Sequence, residues 1–321
     1  MSYGNDGTIS INFQNSYGTP VTTSNHFIPF IEESVTPEIE DLVSANMSGI
    51  FDEGPSYRGK ETIGGDIVAD INMDTMGTFC RAMFGPATVV TSGSLVTHTF
   101  KPVVTDWDQY AANQPFTLLK DFAEGGSAHA YSNLVASKLE FSVGNGEFVK
   151  ATLSCVGGRR TKTAAVAATY STDSLWTWDA ASASIAGVAV SDLKSLNLVI
   201  DDKLETQFVL NNTRYPSHIK RTASRSVEVS GVALFNTQSE FQAFENSLTR
   251  PLIVTFLSGL QVQSGFNESI KFDIPSFRYS SYPINLSGPS QIEVSFSGKA
   301  KFNTGSDTSL TVTLVSTHTA F

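Results

Sequence analysis

The sequence predicts a mainly β protein built from two similar domains. Charged residues make up only 16% of the 321-residue chain and apolar residues 40%, with 22 phenylalanines. This composition favours pleated, half-buried surfaces over long exposed helices. The order strand, hairpin loop, strand, short helix and closing β-hairpin is predicted once in each half. Repetition of one such plan is typical of a symmetric or pseudo-symmetric assembly.

The junction between strand and helix is the best marker of the repeat. Thr75 and Phe79 follow one alternating strand, and Thr237 and Phe241 follow another. The two threonines are 162 positions apart, and so are the two phenylalanines. The number of positions between corresponding residues of the two halves becomes smaller further along the chain, so the first half carries the longer loops.

The rest of the chain is divided around these two halves. The N-terminal residues mix glycine, serine, threonine and asparagine, which is typical of an extended arm. The middle of the chain is rich in alanine, serine and threonine and contains Trp176 and Trp178, which favours an anchored linker. The predicted division is an arm at 1–30, a first domain at 31–157, a linker at 158–190 and a second domain at 191–321.

Local signals predict individual elements. Apolar residues at helical spacing predict a short helix that starts at Asp74 or Thr75 and stops at Gly85. A capping box at 237–240 predicts the start of the second helix, which is expected to end at Arg250-Pro251. The dipeptide at 145–146 is Asn-Gly and predicts a tight hairpin. The alternating segment 309–317 predicts a final strand.

Charge and cysteine usage narrow the class of protein. The net charge of −10 and pI of 4.9 argue against tight DNA binding, which needs lysine and arginine to displace counterions. The N-terminus lacks a signal-type pattern and no stretch is long enough to span a bilayer, so we expect a soluble protein made in the cytoplasm. Cys80 and Cys155 have apolar neighbours and are expected to be buried thiols.

Motifs for catalysis are missing from the sequence. The five histidines do not stand at metal-ligand spacings, and there is no nucleophile elbow, phosphate-binding loop or dinucleotide fingerprint. We therefore expect no enzyme activity, no metal and no cofactor. A carboxylate pair brought together in space, as in glycosidases, stays open at this point.

Acidic residues alternate with apolar ones along several predicted strands. One interpretation is an ordinary solvated sheet surface, and the other is a functional face. These residues are Asp66, Asp70, Glu140, Glu228, Asp273 and Glu293.

Several of these segments together resemble the major tail tube proteins of long-tailed, siphovirus-type bacteriophages. The resemblance covers most of the chain and rests on strand and helix patterns, since that family has no catalytic signature. The segments are residues 30–34, 66–71, 81–85, 96–102, 138–143, 270–275 and 292–298.

The resemblance implies a β-sandwich with a flanking helix in each half, and one sheet that joins its neighbours into a β-barrel around the tail lumen. Such proteins form hexameric rings, so three duplicated chains would form a pseudo-hexameric ring, and stacked rings would form the channel for phage DNA. The acidic residues named above become candidates for the lumen. Expected partners are other copies, the tape measure, tail terminator and distal tail proteins, and DNA in transit without tight binding, with no membrane.

Loops and the N-terminal arm are the candidates for contacts between subunits and between rings. The candidate loop residues are Asn46, Phe51, Tyr57, Arg58, Asn211, Arg214 and Tyr215.

Other functions stay open from the sequence. A hub or distal tail protein shares the tube fold but caps the tube, and a contractile-system tube protein has a sheath outside it. A carbohydrate-binding β-sandwich needs an exposed aromatic platform, for which Tyr170, Trp176 and Trp178 are the candidates.

Overall fold

The computed structural model describes residues 6–23, 26–45, 52, 54–103, 114–122, 126–286 and 291–321. The fold is mainly β, which confirms the predicted class. In the first half the elements are β1 (Thr8–Phe13), β2 (His26–Phe27), β3 (Glu32–Glu33), β4 (Thr36–Val43), β5 (Ser56–Asp70), α1 (Met73–Phe84), β6 (Thr88–Ser92), β7 (Leu95–Phe100), β8 (Phe116–Asp121), β9 (Ser127–Gly144) and β10 (Lys150–Ala164).

The second half follows a similar order. Its elements are β11 (Ala181–Ile185), β12 (Val188–Val190), β13 (Leu193–Asp201), β14 (Leu204–Gln207), β15 (His218–Arg221), β16 (Ser226–Leu234), α2 (Ser239–Glu245), β17 (Arg250–Gln263), β18 (Phe266–Ser281), β19 (Glu293–Ala300) and β20 (Thr311–Ser316).

Eight strands form one continuous antiparallel row, in the order β3–β5–β10–β9–β13–β16–β19–β18. Each half supplies four consecutive strands. In both sets the strand before the helix is second and the two arms of the C-terminal hairpin follow. The halves meet where β9 pairs with β13, with Glu140 opposite Val199. We call these strands the eight-strand row.

Two further groups of strands branch from the row. The N-terminal part of β9 continues into β8, β1 and β2. The N-terminal part of β18 pairs with β17 and β20, which lead on to β11 and β12 and to β7 and β6. The pairing of β7 of the first half with β20 of the second gives a further strand pairing between the halves.

The hydrophobic core also runs through both halves. The ring of Phe141, on β9, lies 5.1 Å from the ring of Phe256 and 4.8 Å from that of Phe272, both in the second half. All three are fully or almost fully buried. Tilted aromatic pairs of this kind add stability beyond the area they bury.

Helix α1 confirms its predicted position and begins only slightly earlier. Asn72 is the N-cap, and its side chain accepts a hydrogen bond from the Thr75 nitrogen at 2.8 Å. Gly85 ends the helix with a φ of 80°, which a residue with a side chain rarely adopts. The apolar face, including Met76, Phe79 and Met83, is fully buried.

Helix α2 differs from its prediction at both ends. The capping box is not formed, because no side chain caps the first turn and the Thr237 hydroxyl meets Ser239 instead. The Glu240 carboxylate pairs with Arg250 and accepts the hydroxyl of Tyr279 at 2.8 Å. Tertiary partners on β17 and β18 thus replace the local cap, and the helix ends at Glu245.

Three other local predictions are confirmed. Asn-Gly at 145–146 forms the tight turn between β9 and β10, with Gly146 at a φ of 82°. The final strand is β20. Cys80 and Cys155 are buried free thiols, and burial raises the pKa of both.

The predicted arm is wrong for residues 8–13. They form β1, which is buried and pairs with β8 along its whole length. Its apolar residues Ile9, Ile11 and Phe13 alternate, and they pack in the core. The predicted linker is also shorter than expected, because β10 extends into it and β11 and β12 occupy its end. The domain division itself stays a prediction.

Candidate functional site

One face of the eight-strand row is polar across both halves. Alternation along each strand places Asp66 and Asp70 of β5, Glu140 of β9 and Glu228 of β16 on this face. Glu293 of β19 lies on it as well. Five of the six predicted acidic residues therefore share one surface, which we call the polar face.

Ion pairs neutralise part of the acidic charge. The Lys138 ammonium donates to Glu140 at 2.7 Å, and this hydrogen bond holds the pKa of Glu140 below its usual range. Lys299, at 2.8 Å, does the same for the pKa of Glu228. Lys194 pairs with Glu293 at 2.6 Å. The polar face is therefore mixed in charge.

Asp66 and Asp70 differ from the other acidic residues. Within the described ranges neither forms an ion pair. Asp66 and Asp70 thus place acidic charge without an ion pair on β5, near one end of the row.

Asp273 is not brought together with the other five. It lies on the part of β18 that pairs with β17 and β20, outside the row, and its carboxylate is 3.1 Å from the Lys271 ammonium. The sequence pattern could not separate it, because β18 serves two groups of strands and alternates in the same way in both.

Strands β4 and β5 form a hairpin whose outer part is exposed. Its strands pair from Thr36 opposite Gly64 outward to Val43 opposite Ser56. Near the tip Leu42 is 50% exposed and Tyr57 64% exposed. Exposed apolar side chains gathered on the outer part of a hairpin are typical of a protein contact surface.

Two predicted loop residues of this hairpin can be placed and two cannot. Tyr57 is exposed near the end of the hairpin. The guanidinium of Arg58 pairs with the buried carboxylate of Glu61. Asn46 and Phe51 lie outside the described residues.

The corresponding hairpin of the second half, β14–β15, folds against the first half. The Glu61 nitrogen donates to the Arg214 carbonyl at 2.8 Å, and the Arg159 guanidinium lies 5.8 Å from the centre of the Tyr215 ring. Asn211 is exposed and donates within the loop to Ser217 at 2.7 Å. Arg214 and Tyr215 thus contact the other half of their own chain.

A buried ionic cluster holds the base of the second hairpin. Asp202 follows β13 and is completely buried. Its carboxylate pairs with Arg225 and with Arg221, the latter at 3.3 Å, and Arg225 also donates to the Val103 carbonyl at 3.2 Å. A buried carboxylate needs such partners, because moving an unpaired ion out of water into the protein costs roughly several kcal/mol. Sequence reasoning missed this cluster, since its members are spread along the chain.

The described residues contain no group of three or more histidine, cysteine, aspartate or glutamate side chains placed to hold a metal ion. No helix in the same part of the chain is long and apolar enough to cross a membrane.

The proposed aromatic platform for carbohydrate is not formed as a set. Trp176 is only 3% exposed and belongs to the core, whereas Tyr170 and Trp178 are partly exposed. Trp176 acts as the anchor that the sequence suggested for this segment.

Comparison with known families identifies the chain. The family model of the phage tail tube proteins matches residues 4–300, which is nearly the whole chain. The chain belongs to the phage tail tube protein family. The match spans both halves and includes β1 and every strand of the eight-strand row. A search of curated proteins found no match.

Membership decides the general function. Tail tube proteins are structural and not enzymes, so the chain is a structural component of the virion tail. Tail tube proteins assemble with one another and with other tail proteins. The eight-strand row with its polar face and the β4–β5 hairpin are the surfaces on which such assembly can be argued.

Proposed function

We propose that this tail tube protein is the major subunit of a siphovirus-type tail, in which three copies form a pseudo-hexameric ring. Each half supplies one tube fold, so three chains supply six. Rings stack in the cytoplasm of the bacterial host into a tube through which phage DNA passes. Tape measure, tail terminator and distal tail proteins act as its tail partners.

The repeated strand order of the eight-strand row is the observation that carries this proposal. The order within β3–β5–β10–β9 is the same as within β13–β16–β19–β18, and β9 pairs with β13 between them. Repeating this junction between chains joins the β18 end of one copy to the β3–β4 end of the next. Three copies then close the row into a barrel, which removes open sheet edges.

Charges at the two ends of the row support this joint. At the junction inside the chain, Lys138 of β9 lies opposite Asp201 of β13. The free β18 end carries exposed Arg278, and the β3–β4 end carries Glu32 and Glu38. Opposite charges across neighbouring strands favour pairing.

The polar face of the row is proposed to line the lumen. Asp66 and Asp70 would then repel DNA phosphates over a screening length of about 8 Å at physiological salt. The ion pairs of Glu140, Glu228 and Glu293 keep the remaining wall close to neutral. A wall of this kind lets DNA slide without being bound.

Electron cryo-microscopy of the purified, concentrated protein tests the proposal. We expect stacked rings with threefold symmetry, a sixfold-like inner wall, and Asp66 and Glu140 on that wall. Persistent monomers, or rings with six intact chains, would contradict the pseudo-hexamer. Single rings that never stack would instead indicate a distal tail protein. Rings with the polar face outside would overturn the lumen assignment alone.

A further inference from the structure

The ends of β5 and β10 share one direct hydrogen bond, and Trp176 takes the place of the second. The Ile71 nitrogen donates to the Val149 carbonyl at 2.9 Å, as expected for an antiparallel pair. The reciprocal bond is replaced, because the Val149 nitrogen donates to the Trp176 carbonyl at 2.9 Å and the Trp176 nitrogen donates to the Ile71 carbonyl at 2.9 Å. We call this arrangement the wedge site.

The second half contains the same site without its wedge. The Phe235 nitrogen donates to the Ile292 carbonyl at 2.9 Å, directly after β16 and directly before β19, as Ile71 and Val149 stand after β5 and before β10. Within the described part of the chain, no main-chain group bonds to the Phe235 carbonyl or to the Ile292 nitrogen. The matching donor and acceptor are thus present and open.

A cavity of about 330 Å³ lies beside this open pair. It is lined by Leu234 and Asn236, the two neighbours of Phe235, and by the rings of Tyr279, Tyr282 and Phe296. Glu240 also lines it. Aromatic walls together with the acidic residues Glu240 and Asp192 suit an aromatic side chain that carries a hydroxyl group.

We propose that this empty wedge site receives Tyr3 from the N-terminal segment of the next copy in the ring. Trp176 stands five residues before β11, the first strand of the second half. The residue five positions before β1, the first strand of the first half, is Tyr3. In this proposal the contact between two copies repeats the contact between the two halves of one chain, with Tyr3 in the position that Trp176 takes within the chain.

The chemistry of the two sites agrees with this exchange. The Trp176 indole Nε1 is buried and finds no hydrogen-bond partner among the described residues. In the second half Glu240, already bound to the Tyr279 hydroxyl, provides a polar group for the phenol of Tyr3. The inference rests on the proposed ring, because only a second copy places an N-terminal segment there.

Disulfide trapping tests the contact. Tyr3→Cys is combined with Asn236→Cys in one variant and with Gln291→Cys in another, since both partners are exposed and flank the open pair. Tyr3→Cys with Leu260→Cys is the matched control, because Leu260 is exposed on β17. The native thiols of Cys80 and Cys155 are buried and do not compete.

We expect oxidised tubes of at least one flanking variant to give linked dimers and trimers on denaturing gels, and the control to give neither. Rings that form normally without any such link would overturn the wedge while leaving the ring intact. Failure of the wild-type chain to form rings would overturn the proposed function itself.

A second measurement does not depend on cysteines. Tyr3→Ala is expected to raise the concentration needed for assembly about tenfold or more, whereas Tyr3→Trp keeps it near the wild-type value. The thermal unfolding of the isolated chain should stay unchanged in both. Equal assembly by the alanine and tryptophan variants would overturn the proposal.

Discussion

The Trp176 nitrogen donates to the Ile71 carbonyl at 2.9 Å, which fixes the segment between the halves at the end of β5. The indole is 3% exposed and packs in the shared core. The connection is therefore part of the folded structure, and its loss affects stability as well as geometry.

Replacing Trp176 with alanine should destabilise the chain by about 3–5 kcal/mol, because a large buried ring is removed and a cavity remains. Urea unfolding followed by circular dichroism measures the change. Trp178→Ala is the matched control, since that ring is 46% exposed and should cost little. Equal losses in the two variants would contradict the assignment of Trp176 as the anchor.

Asp202→Asn should lower the free energy of unfolding by about 3–5 kcal/mol, because it removes the buried negative charge that pairs with Arg221 and Arg225. The adjacent Asp201 pairs with Lys203 at the surface, so Asp201→Asn should change stability by less than about 1 kcal/mol. Chemical unfolding of both variants gives the comparison. A small effect at Asp202 would show that the cluster adds no net stability.

Gly77→Ala should destabilise α1 although alanine is the better helix former by about 1 kcal/mol. A Cβ at this position would lie 2.2 Å from the Phe321 ring, which is too close for the side chains to stay in place. In the background of Phe321→Ala the same substitution should become neutral or stabilising. Thermal unfolding of the double-mutant cycle measures this reversal, and equal effects in both backgrounds would rule out the clash.

Glu268→Gln should stabilise the chain at neutral pH. Burial raises the pKa of Glu268, and nearby Asp173 adds to the shift, so the folded state binds the proton more tightly than the unfolded state. The wild type therefore loses stability as the pH rises from about 4 through the raised pKa, and glutamine removes that loss. Melting temperatures of both chains between about pH 4 and pH 8 test this, with the gain expected only at the higher pH.

Glu140→Gln should change stability at neutral pH in the opposite direction to Glu268→Gln. The pKa of Glu140 is lowered by Lys138, so its contribution is present above its ordinary pKa and is lost as the pH falls through the lowered one. The variant should be slightly less stable than wild type at neutral pH and equal to it in acid. Parallel pH profiles for the two glutamate variants would contradict both assignments.

Leu42→Asp should block tube formation without unfolding the chain, because it places a charge on the exposed tip of the β4–β5 hairpin. The free energy of unfolding should change by less than about 0.5 kcal/mol. Leu248→Asp is the matched control, since Leu248 is 49% exposed but lies beyond α2. Electron microscopy shows whether each variant forms tubes. Normal tubes from Leu42→Asp would show that the hairpin is not an assembly surface.

The local pattern of the chain was sufficient to predict several of its strands, α1 and the Asn145 turn. Each depends on neighbours in sequence: alternation for a half-buried strand, a cap and a stop for a helix, and a positive φ for a hairpin. The same alternation predicted that acidic side chains would share a wet face, and five of the six do. Asp273 lies apart from the other five, because alternation does not tell which sheet a strand joins.

Other features depend on contacts between distant residues. The cap of α2 was lost to Arg250 and Tyr279, and β1 was predicted as an arm although it pairs with β8, more than 100 residues later.

By itself the sequence determined a mainly β chain and the resemblance to tail tube proteins, because periodicity and composition are properties of the chain; the duplication stays a prediction. The tertiary structure decided which strands neighbour one another. Only there does β9 meet β13, Asp202 find its arginines, and Trp176 fill a site whose counterpart beside Phe235 stays open. Hydrogen bonds between strands and the burial of charge depend on residues that are far apart in sequence, so local patterns do not specify them.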